Sequence, residues 1–205
     1  MNTPTNMKTQ LLLTLALCAF GACAEDKSKT NAKTDKNMDS NKPVVVKSEQ
    51  EWKKKLTEDQ FRVTREKGTE RPFGAVYEEF DKQGEGAYYC VCCGAELFTS
   101  KEKFHSGCGW PSFYDQSKAK NVKETIDADG HRIEVTCKRC DAHLGHVFDK
   151  EGFKTPTDRR FCINGVAMKF VPNGGTPPKL EEPASAEVQK KKDVVAKEAG
   201  VEAKK

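Results

Sequence analysis

Cys90-Val91-Cys92-Cys93-Gly94 and Cys137-Lys138-Arg139-Cys140-Asp141 each enclose a C-x2-C pair, and how these pairs are read decides the architecture. Two such pairs can close a tetrahedron of thiolates around one Zn2+. Gly94 lets the backbone turn tightly behind Cys93, so that amides can face the sulfurs. In an oxidising compartment the alternative is a pair of disulfides. Zinc is preferred because Cys90, Cys93, Cys137 and Cys140 make a complete ligand set joining distant segments, and a structural zinc contributes on the order of 10 kcal/mol to folding. Cys92 is then left over as a non-ligand residue on the alternate strand face. A metal held by four protein thiolates has no open coordination position, so any chemistry must come from other residues.

Working outward, residues 48–172 hold nearly all the aromatic residues and every cysteine that a fold could use. Thr57 stands as a helix cap with Gln60 at the capping-box offset, and Gly68 follows Lys67 as a stop. Beyond it the pattern changes to short strands over 87–91, 132–136, 146–149 and 161–163, divided by glycine, proline and aspartate turns. The expected fold is mainly β: a small antiparallel sheet domain with helices at its N-terminal edge and a four-cysteine zinc clamp. Residues 24–47 contain no aromatic residue and too little apolar surface to offset ordering entropy, so they are expected as a flexible linker. Residues 173–205 open on Gly174, Gly175, Pro177 and Pro178 and continue as a charged Ala/Glu/Lys tail, expected to be disordered or transiently helical.

Residues 1–23 set the expected compartment. Lys8 precedes the apolar run from Leu11 to Phe20, which is too short to span a bilayer but suits a signal segment. Phe20-Gly21-Ala22-Cys23 resembles a bacterial lipobox, so Cys23 is expected to carry a lipid anchor and the chain to be an extracytoplasmic or periplasm-facing lipoprotein of the bacterial cell envelope; the alternative is an ordinary cleaved secretory leader. Of the 205 residues, 35 are Lys or Arg and 31 are Asp or Glu. The net charge of +4 is spread over a surface of both signs and gives no support to nucleic-acid binding.

With the ligand set removed, Cys108 and Cys162 are the thiols with suggestive surroundings. Cys162 stands in Arg159-Arg160-Phe161-Cys162-Ile163-Asn164, where cationic neighbours favour thiolate, although a buried structural cysteine beside an aromatic would look the same. His143 and His146 form a His-x-x-His pair, whose members would face opposite sides of a strand. Trp110 lies in Gly109-Trp110-Pro111-Ser112-Phe113, where glycine and proline suggest a loop.

Taken in order, REKGTERPF (65–73), the first C-x2-C-G, LFTSKEKFHSGCGWPSF (97–113), the second C-x2-C, DAHLGHVF (141–148) and RRFCIN (159–164) resemble the B-type methionine sulfoxide reductases. The resemblance covers residues 48–170. The connection 150–158 departs from it, with Phe153 and Lys154 in place of a glycine-proline turn and Asp158 in place of a glycine. The resemblance implies reduction of methionine-R-sulfoxide, with Cys162 as nucleophile and Cys108 as the resolving thiol. It further implies His143, His146 and Asn164 as proton donors, Arg160 beside the thiolate, and Trp110, Phe113 and Phe148 around the substrate. The expected partners are oxidised proteins and a thioredoxin-like reductant, and the expected state is a monomer. The rival reading is a non-catalytic zinc-ribbon scaffold of the envelope, which leaves Cys108, Trp110, His146 and Cys162 without a purpose.

Overall fold

Three short helices precede the strands, and capping fixes where the first two begin. The computed structural model describes residues 43–128 and 130–183; the leader, Cys23, most of the expected linker and the tail from 184 lie outside the described residues. Helix α1 (Glu49–Lys55) starts at Ser48 and α2 (Glu58–Arg65) at Thr57, each with a reciprocal capping box, to Glu51 and to Gln60. Each cap stabilises its helix by about 1 kcal/mol. Between them they bury Trp52, Phe61 and Val63, while α3 (Ala75–Lys82) buries Tyr77 and Phe80. The stop after α2 falls one residue earlier than expected. Lys67, at φ 56°, makes the left-handed turn, and the Gly68 N–H closes onto Arg62 O at 3.0 Å. Such a conformation costs a non-glycine residue roughly 1 kcal/mol, and here it delivers the Lys67 ammonium to Glu134 at 2.7 Å.

The strands form two antiparallel sheets. One has the order β2 (Glu96–Thr99), β1 (Gly86–Cys90), β8 (Met168–Pro172). The other runs β3 (Ser112–Phe113), β7 (Arg159–Ile163), β6 (His143–Asp149), β5 (Ile133–Cys137), β4 (Val122–Ile126). Alternate residues of each strand turn inward, and the core is aromatic where the sheets meet. Phe98 stacks on Phe113 with centroids 4.3 Å apart, Phe161 lies 5.7 Å from Phe98, and Tyr88 meets Phe113 edge-on at 5.0 Å. Phe113 is fully buried in this stack. It is therefore a core residue and not part of a substrate wall: along β3, Ser112 pairs with Cys162 while Phe113 pairs with Phe161, and neighbouring strand residues point to opposite faces.

Parts of the expected linker and tail belong to the folded structure. Val44 and Val45 donate their N–H groups to Arg139 O at 3.0 and 2.8 Å, and Val45 is buried. On the C-terminal side, Glu181 N–H donates to Cys93 O at 2.9 Å and Glu181 O accepts from Arg139 at 2.9 Å. The Glu181 carboxylate pairs with Lys47 at 3.3 Å and also with Lys55. Composition alone marks these segments as unfoldable, because their contacts are backbone hydrogen bonds to distant turns.

In the connection 150–158, Asp158 sits at φ 47° and its Oδ1 is buried without a partner, so a glycine at this position would remove two costs at once. Phe153 packs edge-on against Phe104, with centroids 5.1 Å apart.

Candidate active site and metal centre

The two knuckles are built alike. After β1, Gly94 at φ 74° returns its N–H to Cys90 O at 2.8 Å; after β5, Asp141 at φ 52° does the same to Cys137 O at 2.9 Å. Lys123 pairs with the Asp141 carboxylate at 2.9 Å. Cys90 Sγ lies 3.7 Å from Cys140 Sγ and Cys93 Sγ lies 3.6 Å from Cys137 Sγ. The four buried ligand atoms all fall within 4.8 Å of one another. A tetrahedron with bonds of about 2.3 Å has sulfur–sulfur edges of about 3.8 Å, so the spacing and the all-thiolate donor set fit zinc. None of the four is in a disulfide. Cys92 lies in the knuckle turn rather than on a strand; it is fully buried, and its thiol reaches Thr64 Oγ1 at 3.4 Å.

A second group of side chains forms a row across the five-stranded sheet. The register pairs Ser112 with Cys162, Cys162 with His146, and His146 with Glu134. Directly opposed residues share a face, so β3, β7, β6 and β5 each supply one member to the same side. His143 joins them through a bulge. Val135 pairs with Gly145 and Thr136 with His143, which leaves Leu144 as the extra residue. The inserted residue reverses the alternation, and the two imidazoles, expected on opposite faces, stand with centroids 5.5 Å apart. Gly145 is required there, since a Cβ would come within 2.1 Å of Cys162 O.

Each imidazole has a carboxylate partner. His146 Nε2 is hydrogen-bonded to Asp127 Oδ2 at 2.9 Å, and Arg132 pairs with the same oxygen at 3.0 Å. His143 Nδ1 is bonded to Glu134 Oε1 at 2.7 Å. Burial of His143 lowers its pKa below the ordinary imidazole value against the opposing pull of Glu134, so the ring is neutral at neutral pH. Glu134 is itself desolvated, yet hydrogen bonds from Lys67 and His143 hold it below the usual carboxylate range.

Cys108 comes from the loop before β3, where Gly107 and Gly109 take φ of 75° and 86°. Its Sγ is 3.8 Å from Cys162 Sγ. The hydrogen bond from Cys162, with further ones from the Ser106 and Ser112 hydroxyls, draws the Cys108 thiol down to about 4. The same contact and burial push Cys162 up, opposed by the charge and hydrogen bond of Arg160. The pair thus shares one proton between two sulfurs. Arg160 is gripped in bidentate fashion by Glu151, at 2.7 and 2.8 Å, and lies 4.5 Å over the Phe148 ring.

Beside Cys162 opens a cavity of about 160 Å³, lined by Trp110, His146, Phe148 and Asn164 among others. The indole N–H of Trp110 donates to Glu70 O at 3.1 Å, which fixes the ring in its place. Asn164 is almost fully buried, with Oδ1 accepting from Glu70 N–H and Nδ2 donating to Leu144 O. His143 does not reach the cavity; it is buried behind His146.

The sequence profile described as the SelR domain matches residues 56–172, more than half of the chain. The chain belongs to the SelR-domain family. Among its relatives, the peptide methionine sulfoxide reductase MsrB of Chromohalobacter salexigens is 53% identical over 130 residues, covering 62% of this chain and 96% of that protein. The peptide methionine sulfoxide reductase MsrB of Methanosarcina barkeri is also 53% identical over 130 residues, covering 88% of its own length. Peptide methionine sulfoxide reductase B3 of Arabidopsis thaliana is 50% identical over 128 residues, covering 71% of its length. The family is therefore that of the B-type methionine sulfoxide reductases, as the order of motifs implied.

Within this SelR domain, sequence reasoning overlooked Glu70, Ser106, Ser112, Asp127, Glu134 and Glu151, all of which hold one of the residues around Cys162. Glu70 stands inside the 65–73 motif, where its position was visible but its task was not. Asp127 and Glu134 carry no local signal, because only strand pairing brings them to the histidines.

Proposed function

We propose that the chain is a peptide-methionine (R)-S-oxide reductase in which Cys162 attacks the sulfoxide, Cys108 resolves the product and a thioredoxin-like dithiol restores the pair. The observation that carries this reading is the Cys108–Cys162 pair, 3.8 Å apart at the edge of a cavity walled by Trp110 and Phe148. A void of ~150 Å³ accepts a benzene-sized group, so this one suits the end of an oxidised methionine side chain. An aromatic wall receives the methyl group, while the sulfoxide oxygen needs a proton donor before its sulfur becomes electrophilic. His146, oriented by Asp127, and Asn164 supply that polar side of the cavity. His143 acts from behind, through the neighbouring ring.

The reaction begins when the proton on Cys162 passes towards Cys108 and the negative charge moves to the sulfur beside Arg160. In the net first step, Cys162 gains the sulfoxide oxygen as a sulfenic acid and the substrate sulfur gains two electrons as the sulfide. Cys108 then bonds to the Cys162 sulfur, and the sulfenic oxygen leaves as water with the thiol proton. A dithiol returns two electrons and two protons by exchange, and the pair is ready again. A zinc ion on Cys90, Cys93, Cys137 and Cys140 would supply cross-linking between the knuckles and take no part in these steps.

The test is consumption of both epimers of a methionine sulfoxide peptide by the purified chain with dithiothreitol. Catalytic loss of the R epimer alone is expected. Binding without turnover would favour the zinc-ribbon scaffold.

The leader supports an envelope lipoprotein anchored through Cys23, acting on oxidised envelope proteins. Among the described residues no helix is long and apolar enough to cross a membrane, and acyl chains would supply the hold. Cys23→Ser should release a soluble, unlabelled form after growth with labelled fatty acid. Label retained on that variant would overturn the anchor.

A further inference from the structure

We infer that Glu70 is the residue that positions the substrate side of this site, through four hydrogen bonds made by one amino acid to two of the cavity's walls. Its backbone carbonyl accepts the Trp110 indole N–H at 3.1 Å. Its backbone N–H donates to Asn164 Oδ1 at 3.0 Å. Its carboxylate accepts the next two backbone N–H groups after Asn164, from Gly165 at 2.7 Å and Val166 at 3.0 Å.

Glu70 belongs to no helix or strand of its own. What holds it is the carboxylate, clamped to the short turn Gly165–Ala167 that follows β7. With the side chain fixed, the backbone of the same residue stands between Trp110 and Asn164. Asn164 continues the chain of contacts, since its Nδ2 donates to Leu144 O, the extra residue of the bulge that brings His143 to the side of the sheet where His146 and Cys162 stand. One side chain therefore fixes the aromatic wall and the amide relative to each other and ties both to the bulge that lies between the two histidines of β6. A Cβ at Gly165 would come within 2.4 Å of Val76 Cγ1, so the turn packs closely against α3 where it meets the clamp.

The inference rests on the reductase reading, and the test separates the two. In Glu70→Ala the residue loses its clamp while Cys162, Cys108 and the knuckles are untouched. Misplacement of reacting groups by about 1 Å costs on the order of 100-fold. Glu70→Ala should therefore lose about 10- to 100-fold in kcat/KM for the sulfoxide, with KM raised and the single-turnover rate lowered, at unchanged zinc content. Glu70→Gln keeps one carbonyl acceptor for the turn and should recover part of the loss. Tryptophan emission is to be followed while a methyl sulfoxide is added, with Trp110→Phe identifying the Trp110 contribution. The emission change should weaken in Glu70→Ala and return in Glu70→Gln.

Wild-type kcat, KM and emission response in Glu70→Ala would overturn the assignment. So would a loss of activity that merely follows a loss of folded protein and is not restored in Glu70→Gln. If the wild-type chain itself reduces no sulfoxide, the reductase reading fails, whereas a failure confined to the Glu70 variants leaves that reading standing.

Discussion

Cys162→Ser should yield no methionine, even in a single turnover with enzyme in excess. A serine hydroxyl beside Arg160 is not appreciably ionised at neutral pH, and its oxygen is a far weaker nucleophile than a thiolate sulfur. The rest of the cavity is unchanged, so substrate binding should persist while chemistry stops. Cys108→Ser should behave differently. Cys108 is the main cause that holds the proton on Cys162, so its removal leaves Arg160 free to favour the thiolate and the first step intact. One equivalent of methionine should form per chain, and a sulfenic acid should accumulate on Cys162 where dimedone can trap it. Turnover with a thioredoxin-like reductant should stop, while small thiols that reach the sulfenic acid restore part of it. Full thioredoxin-driven turnover in Cys108→Ser would assign resolution elsewhere. A full equivalent of methionine from Cys162→Ser would overturn the mechanism at its first step.

Cys137→Ser should lose its metal and its cooperative melt together. The purified chain is expected to hold about one zinc, with a contribution on the order of 10 kcal/mol, comparable to the ~5–15 kcal/mol that holds an ordinary domain folded. Cys137 ends β5 and begins the second knuckle, and its Sγ packs 3.6 Å from Cys93 of the first. Loss of this ligand separates the two turns, to which the residues around Val44 and Glu181 are also bonded. Metal analysis beside a thermal melt checks the expectation. A metal-free variant with native stability would show that packing alone holds the knuckles.

How much of this was legible in the sequence depended on how far apart the cooperating residues lie. The cysteine quartet was legible because each half is a four-residue spacing with its own turn. The box at Thr57 and Gln60 was legible for the same reason. The mainly antiparallel β class followed from short apolar runs between turn residues, but several strands did not. Val122–Ile126 is largely exposed and reads as polar, and Ser112–Phe113 is too short to have a period. The shared face of His143 and His146 was hidden because the bulge at Leu144 exists only in the pairing of β6 with β5. Phe113 was misplaced for a related reason. Its neighbours in the motif face the thiols, but alternation along β3 turns it into the stack with Phe98. Asp127, Glu134 and Glu70 could not have been found, since carboxylates acquire such tasks only when the fold delivers them.

The contacts of Val45 and Glu181 at the knuckles have a topological consequence. Lys47 and Glu181, near the two ends of the described chain, touch each other at 3.3 Å. A few added residues would join those ends and close the domain into a ring, which could then be opened at an exposed loop without moving a strand. The described chain therefore begins and ends at neighbouring points, on the side of the domain where the two knuckles lie.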